Sequence, residues 1–429
     1  MYPVLQLALD VINEKRAIQI ASESVKGGAD WLEIGTPLIK SEGIQIIRTL
    51  KKAHPKKKIV ADMKTMDAGA LEVEMAAKAG ADVVCILAAA DDATIADAIK
   101  AKQKYNVKIL ADLIGQEKIV SRATRLEELG VDIICVHIGI DQQMKAKNPL
   151  DLLKKLHSSI TLPIAVAGGI NSETAGLVVK AGASIVIVGG AITKSKKVTN
   201  ATKTIKKAIQ NQQIISSPLF KKYSSENIYE AFCLVSSPNI SDAMHRKGAM
   251  KNIHPINPGL QMVGTAVTVK TMDGDWAKPV EAIDCAEPGQ VVVIDAASGS
   301  TAVWGELATW SAKKKKLAGI VVDGAVRDID EIKKIGIPVF CRNTVSCAGE
   351  PKGFGEIGPT IICGDQQVSS GDWIIGDDSG VVVVPKKDAQ EIANRALDVK
   401  EHENRLREEI QRGGSLGEIL VLEKWECVK

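Results

Sequence analysis

The residues with the most chemical potential in the first half of the chain are Asp10, Glu33, Asp62, Lys64, Asp67, Asp112 and His137. Each follows or interrupts an apolar run of Val, Ile, Leu and Ala, where an ionisable side chain is costly unless it has work to do. Asp62-Met-Lys64-Thr-Met-Asp67 is the densest group, an acid, a base and a second acid within six residues. Glu33 and Asp62 offer hard oxygen ligands to Mg²⁺ or Mn²⁺. Lys64, close to carboxylates, stays charged and suits an enolate oxygen. Two glycine pairs, Gly168-Gly169 and Gly189-Gly190, close later apolar runs, the second followed by Ala191. Glycines there let backbone N–H groups approach a phosphate, helped by a helix start.

These residues need elements to hold them at one place. Eight apolar runs begin at Val4, Trp31, Lys58, Val83, Lys108, Ile133, Pro163 and Ile185, with helix-period segments such as ALEVEMAAKAGAD and TRLEELGVD between them. The Gly of AGAD or LGVD is a helix C-cap that feeds the next strand. Continuous Val/Ile-rich runs imply strands covered on both faces, and eight strand–helix beats in about 200 residues predict a (β/α)₈ TIM barrel. Active sites of such barrels form at the C-terminal ends of the strands, where all of these residues fall.

The predicted organisation is a barrel over residues 1–210, a polar linker over 211–228, a second domain over 229–390, and a charged C-terminal helix and tail over 391–429. The second domain reads as mixed α/β of the swivelling β/β/α type, with a helix at SDAMHRKG from Ser241 and Gly/Pro-punctuated strands. Further helices are expected at AVWGELATWSAKKKK and IDEIKKIG. The last helix shows no strong apolar face in sequence. In this domain Gly305-Glu306-Leu307 places N–H groups at a helix start, Arg327 suits a carboxylate, and Asp328 suits a divalent metal. That set points to lyase chemistry on a 2-oxo acid.

Composition narrows the field. The chain has 429 residues, 45% hydrophobic and 25% charged, with a net charge of +3 and no run near the roughly 18 apolar residues of a membrane span. No membrane or nucleic-acid partner is expected. The KKAHPKKK and KKKK runs read as solvated helix ends, because aromatics are only 3% of the chain. The start, MYPVLQLALD, has no basic segment before an apolar stretch, so a cytoplasmic location is expected. The eight cysteines include no CxxC, and Cys85 and Cys135 read as small core residues.

The motif DxKxxD after the third strand resembles the orotidine-monophosphate-decarboxylase suprafamily of barrels. Within it, LALD, LEIGTPLI, ADMKTMDAG, ADLIG, VHIGIDQQ, VAGGI and VGGAIT resemble the 3-hexulose-6-phosphate synthases over residues 1–210. The resemblance implies a homo-oligomer that condenses formaldehyde with D-ribulose 5-phosphate, or runs in reverse. It implies Glu33 and Asp62 as metal ligands, Lys64 as enediolate stabiliser and His137 as base or acid at C1. It further implies Asp10 and Asp67 as orienting groups, with Asp67 reaching across a subunit boundary. Gly169, Gly190 and Ala191 would hold the phosphate. The related 3-keto-L-gulonate-6-phosphate decarboxylases are expected to carry Glu at position 112 and an Arg after the strand-six His. Asp112 and Asp141 favour the synthase.

Residues 229–390 resemble a different family through SDAM, GTAVTV, PGQVVVIDAASG, GELAT, DGAVRDIDEI and GDWIIGDDSGVVVVP. That family holds 4-hydroxy-4-methyl-2-oxoglutarate aldolase and the regulator of ribonuclease E activity. Its aldolases carry an Asp where this chain offers Glu306. Its ribonuclease-inhibiting members tend to lose the Arg-Asp step that Arg327-Asp328 keeps, which favours a lyase over a non-catalytic ribonuclease-binding module.

Overall fold

The computed structural model describes residues 3–139, 143–144, 150–217 and 221–420. Asp141 lies outside the described residues. The chain forms two compact units, residues 1–222 with 401–429, and residues 223–400.

Eight parallel strands close the first unit into a barrel: β1 (Val4–Leu9), β2 (Trp31–Ile34), β3 (Lys58–Thr65), β4 (Val83–Leu87), β5 (Lys108–Asp112), β6 (Ile133–His137), β7 (Ile164–Ala167) and β8 (Ile185–Val188). Closure comes from β1 pairing β8, with Val4 opposite Ile185 and Leu7 opposite Val188. Side chains alternate along each strand. Leu5, Leu7 and Leu9 face the helices, while Val4 and Ala8 face inward with Val60, Cys85, Leu110, Cys135, Ala165 and Ile187. Cys85 and Cys135 are buried in that inner layer, as their apolar contexts predict.

The glycine-terminated helices carry a repeated device. Helices Glu14–Gly27, Gly69–Ala79 and Ile119–Leu129 end on the left-handed glycines Gly28, Gly80 and Gly130. The Asp two residues on then accepts a strand N–H: Asp30 from Leu5 at 2.8 Å, Asp82 from Ile59 at 2.7 Å and Asp132 from Ile109 at 2.8 Å. Lys51 and Lys102 pair with Asp82 and Asp132 at 2.7 and 2.8 Å. These three aspartates stitch the strand starts, at the end of the barrel opposite the strand C-termini.

The second unit is a mixed sheet in the order β19 (Gly380–Val384), β18 (Trp373–Asp377), β10 (Met262–Lys270), β11 (Val291–Asp295), β13 (Gly319–Val326), β14 (Val339–Thr344) and β9 (His254–Pro255). Strands β12 (Ala302–Trp304) and β15 (Glu356–Ile357) pair β13 and β10 off this path. β16 (Ile361–Cys363) and β17 (Gln366–Val368) form a separate ribbon. Strands β10, β11, β13 and β14 run parallel, so their ends form one C-terminal edge.

Three local expectations are corrected. The first helix of this unit is Ser237–Ala243, not one beginning at Ser241, because Ser236 and Asn239 form a capping box upstream, while His245 and Arg246 turn left-handed. Ala302–Trp304 is strand β12 rather than the start of a helix, which begins at Glu306 behind Gly305. Helix Ala389–Gln411 does bury a face, made of the small residues Ala389, Ala393, Asn394 and Ala396. Asn394 exchanges two hydrogen bonds with the backbone of Tyr223. The basic runs lie where predicted, with Lys51–Lys52 and Lys313–Lys314 in last helical turns. Among the described residues no helix is long and apolar enough to cross a membrane.

Candidate active site

Strand alternation decides which charges enter the barrel. Along β1 the inward parity runs Val4, Gln6, Ala8 and then Asp10. On β2 it reaches Glu33, on β3 Asp62 and Lys64, on β5 Asp112, and on β6 His137. All of these stand in or above the top inner layer, at the strand C-termini. Glu33, Asp62 and Asp112 are buried there despite their charge.

Contacts chain them together. Lys64 Nζ lies 2.9 and 3.1 Å from the two oxygens of Asp62 and 3.3 Å from Asp112 Oδ2. His137 Nδ1 lies 2.8 Å from the same Asp112 oxygen, and the Ile114 N–H donates to Asp112 Oδ1 at 2.9 Å. Thr36 Oγ1 lies 2.7 Å from the Asp62 carbonyl oxygen and 2.9 Å from Asp62 Oδ2. Gln6 Nε2 donates to Glu33 Oε2 at 2.5 Å. Lys64 is left-handed, φ 49°, where the β3–β4 register shifts between Ala61 and Thr65. A bulge that holds a non-glycine residue at positive φ spends strain to aim that side chain.

The electrostatics follow from burial. Burial alone would lower the Lys64 ammonium, but Asp62 and Asp112 outweigh it and hold the group above its ordinary value. Burial alone would raise Asp112, but the hydrogen bond with His137, with Lys64 beside it, holds it below the usual carboxylate range. Glu33 moves the other way, pushed well up by burial and then by Asp62 and Asp10. Asp10 is raised by the same causes, burial first and Asp62 next. Although Asp10 reaches solvent at the mouth, its carboxylate is walled by protein: a Cβ on Gly35 would meet Asp10 Oδ1 at 2.2 Å, and one on Gly189 would meet Oδ2 at 3.4 Å.

Four carboxylates thus face one ammonium and one imidazole, an excess of negative charge that suits a divalent cation. Among the described residues no three His, Cys, Asp or Glu side chains form a ready-made metal cage. Two hard carboxylates, Glu33 and Asp62, match an ion such as Mg²⁺ that keeps several waters and takes further oxygens from substrate.

The glycine pairs directly follow β7 and β8, at the strand C-termini. Gly168 and Gly169 are both left-handed, and a Cβ on Gly168 would lie 2.3 Å from the Ile138 carbonyl oxygen. Gly190 and Ala191 open the short helix Gly190–Thr193 directly after β8. Asp67 is not in the cluster. It is exposed beyond the bulge, with Oδ1 2.6 Å from the Ala68 N–H. Gln6 and Thr36 escaped sequence reading. The signal for Gln6 was available, since it shares the parity of Asp10 in LQLALD.

The second-unit set also assembles, differently. The Glu306 N–H expected to meet a substrate carboxylate instead donates to Asp328 Oδ2 at 3.1 Å. Arg327 Nε lies 3.5 Å from the same oxygen, and Asp328 is left-handed, φ 61°. A Cβ on Gly305 would lie 2.6 Å from Asp328 Oδ2, so a larger residue there would displace that carboxylate. Leu307 is 80% exposed beside this corner. Sequence reading missed a partly buried pair nearby on β13 and β14: Asp323 Oδ1 accepts from Arg342 Nε at 2.5 Å and from Ser298 Oγ at 3.0 Å, and Oδ2 accepts from the Gly364 N–H at 2.7 Å.

Comparison with known proteins finds two separate matches along the chain. Residues 237–383 match the RraA-like family model, described as Aldolase/RraA. Residues 3–205 match the model described as Orotidine 5'-phosphate decarboxylase / HUMPS family. The 3-hexulose-6-phosphate synthase of Mycobacterium gastri is 43% identical over 205 residues, 48% of this chain and 99% of that protein. The synthase of Bacillus subtilis (strain 168) is 41% identical over 206 residues, 48% of this chain and 98% of that protein. Among solved structures, the 3-hexulose-6-phosphate synthase from Salmonella typhimurium is 34% identical with a TM-score of 0.48, covering 49% of this chain and 100% of that one. With relatives above 40% identity matched along almost their whole length, the chain belongs, as an enzyme, to the orotidine 5'-phosphate decarboxylase / HUMPS family through residues 3–205.

Proposed function

We propose that the barrel is an aldehyde-lyase that joins formaldehyde reversibly to D-ribulose 5-phosphate, giving D-arabino-hex-3-ulose 6-phosphate. The observation that carries this reading is the linked set Asp62–Lys64–Asp112–His137 on inward strand ends, with Glu33 and Asp10 beside it. With Nδ1 directed at Asp112, His137 has Nε2 left to take a proton from C1 of the ketose. Lys64, kept charged, lies beside the enediolate oxygen that develops. C1 then attacks the formaldehyde carbon, the carbonyl π pair moves to oxygen, and the proton held by His137 passes to that new alkoxide. Glu33 and Asp62 would hold Mg²⁺ or Mn²⁺, which supplies Lewis-acid polarisation of the ketose oxygens when bound. The Gly169, Gly190 and Ala191 N–H groups would take the phosphate.

A homo-oligomer belongs to this reading. Asp67 is exposed, and Met66, Leu71 and Met75 beside it are exposed too, which suits a residue that serves a neighbouring subunit's site. For the second unit we propose metal-dependent cleavage of a 2-oxo acid, with Arg327 clamping the carboxylate and Asp328 holding the metal. The occupied helix start and the exposed Leu307 and Trp310 favour a second reading, a non-catalytic module that binds a ribonuclease. Pyruvate release from oxaloacetate supports the lyase; a ribonuclease co-purifying without turnover supports the module.

The barrel reading is tested by Asp62→Ala. Formaldehyde fixation should fall to background while the circular dichroism spectrum stays that of the wild type. A wild-type chain that keeps full activity in excess EDTA would end the metal part of the reading.

A further inference from the structure

Gln6 is fully buried inside the barrel, one layer below the carboxylates. Its strand neighbours in register are Trp31 and Ile187, and Val4, Ala8, Ile185 and Ile187 line the same interior. Packing there asks for an aliphatic side chain. A buried amide costs about 1–3 kcal/mol unless both ends are hydrogen-bonded. Only one end of Gln6 is: Nε2 donates to Glu33 Oε2, while Oε1 has no partner among the described residues. The amide is therefore a net cost to folding, and its one bond goes to a carboxylate that already stands near Asp62 and Asp10.

We propose that Gln6 is a positioning residue: its carboxamide fixes one oxygen of Glu33, so that the remaining lone pairs of that carboxylate are presented to a divalent cation, and it thereby sets the barrel's affinity for that cation. The inference rests on Glu33 being a metal ligand. Groups that orient a ligating carboxylate from behind typically govern metal affinity by about 10- to 100-fold. Gln6 touches no reacting atom in this arrangement, so its loss weakens cation binding and leaves the chemical step intact once the cation is bound.

The test uses the full chain with Gln6→Met, which keeps the length and fills the space, and Gln6→Leu as a second apolar variant. Free Mn²⁺ is counted by electron paramagnetic resonance in the absence of any sugar phosphate. Both variants should bind Mn²⁺ about tenfold or more weakly. The Mg²⁺ concentration for half-maximal formaldehyde fixation should rise by the same factor, with kcat at saturating Mg²⁺ within about threefold of wild type. Their melting temperatures should equal or exceed the wild-type value, because the orphaned Oε1 is gone; a merely structural role predicts the reverse. Wild-type Mn²⁺ affinity in both variants, or a fall in kcat at unchanged affinity, would overturn the proposal. Glu33→Gln separates this from the reading beneath it. If Glu33→Gln loses Mn²⁺ and the Gln6 variants do not, only the role of Gln6 fails. If Glu33→Gln binds Mn²⁺ like the wild type, Glu33 is no ligand and both fail.

Discussion

The barrel mouth and the Arg327–Asp328 corner both set a cation beside a carboxylate, yet they are physically different sites. Lys64 has a quarter of its side chain exposed and sits between Asp62 and Asp112, at 6% and 3%. Arg327 and Asp328 are 46% and 38% exposed. In the barrel, low-dielectric walls let each charge feel the next, so one lysine is raised, one aspartate lowered and two carboxylates raised within a single layer. At the corner, water screens the pair, and Asp328 spends its oxygen on the Glu306 N–H. The barrel mouth is set up for chemistry by its own walls. The corner needs something to cover it before its charges act strongly.

The largest expected effect separates the two directly. Lys64→Met should lower kcat for formaldehyde fixation by about 10²- to 10³-fold, the usual cost of removing one preorganised stabiliser of a developing oxyanion. Arg327→Met, assayed in the same full chain, should leave that rate within about twofold. A comparable loss from both variants would show that the contrast in burial does not track function.

The next effect moves from rate to stability. Asp323 is buried and pairs with the partly buried Arg342 in the second unit, and Asp323→Asn leaves the guanidinium without its counter-charge. Breaking such a partly buried pair costs about 2 kcal/mol, between the values for exposed and fully buried pairs. Burial alone would raise Asp323, but Arg342 and the Gly364 N–H hold it below the usual carboxylate range. A depressed acid contributes stability that is complete above its unfolded value of about 4 and is lost as pH falls through the lower folded value. The deficit of Asp323→Asn, followed by calorimetry, should therefore be full at pH 7 and shrink below about pH 4. A deficit that is unchanged on acidification would mean that charge pairing is not its cause.

What the sequence disclosed follows the same division. The barrel was legible because eight continuous Val/Ile-rich runs alternate with helix-period segments, and because charges on such strands have few structural excuses. The aspartates of AGAD and LGVD carry no such signal. Asp82 and Asp132 look as chemical as Asp62, and only the pairing of each with a strand N–H and a lysine shows that they stitch the barrel. Thr36 was hidden because its partner lies on the neighbouring strand, far off in sequence, and the aim of Lys64 because a bulge is a matter of register rather than composition. In the second unit Ser241 offers only a single cap, while the capping box of Ser236 and Asn239 starts the helix four residues earlier. The Arg342–Asp323 pair joins neighbouring strands that are separated by a helix in sequence, so no local pattern announces it.

The smallest effect should carry the opposite sign, and for that reason it is the sharpest. Glu33 is raised by burial and by Asp62 and Asp10, so without a bound cation its ionised form strains the barrel. An acid raised on folding makes stability fall as pH rises through the window between its unfolded and folded values. Glu33→Gln removes that charge, keeps the shape and exchanges a carboxylate for an amide beside Gln6. In EDTA at pH 8 it should stabilise the barrel by about 1 kcal/mol, and the gain should fade as pH drops towards the unfolded value near 4.3, where the wild-type carboxyl is itself neutral. The same variant should lose formaldehyde fixation. A substitution that strengthens the fold and removes the activity marks a residue held in place against the preference of folding. Asp323→Asn should instead weaken its unit most where Glu33→Gln helps most. If calorimetry at pH 8 finds Glu33→Gln destabilising, the carboxylates at the barrel mouth are satisfied without a cation, and the barrel mouth would be no more strained than the Arg327–Asp328 corner.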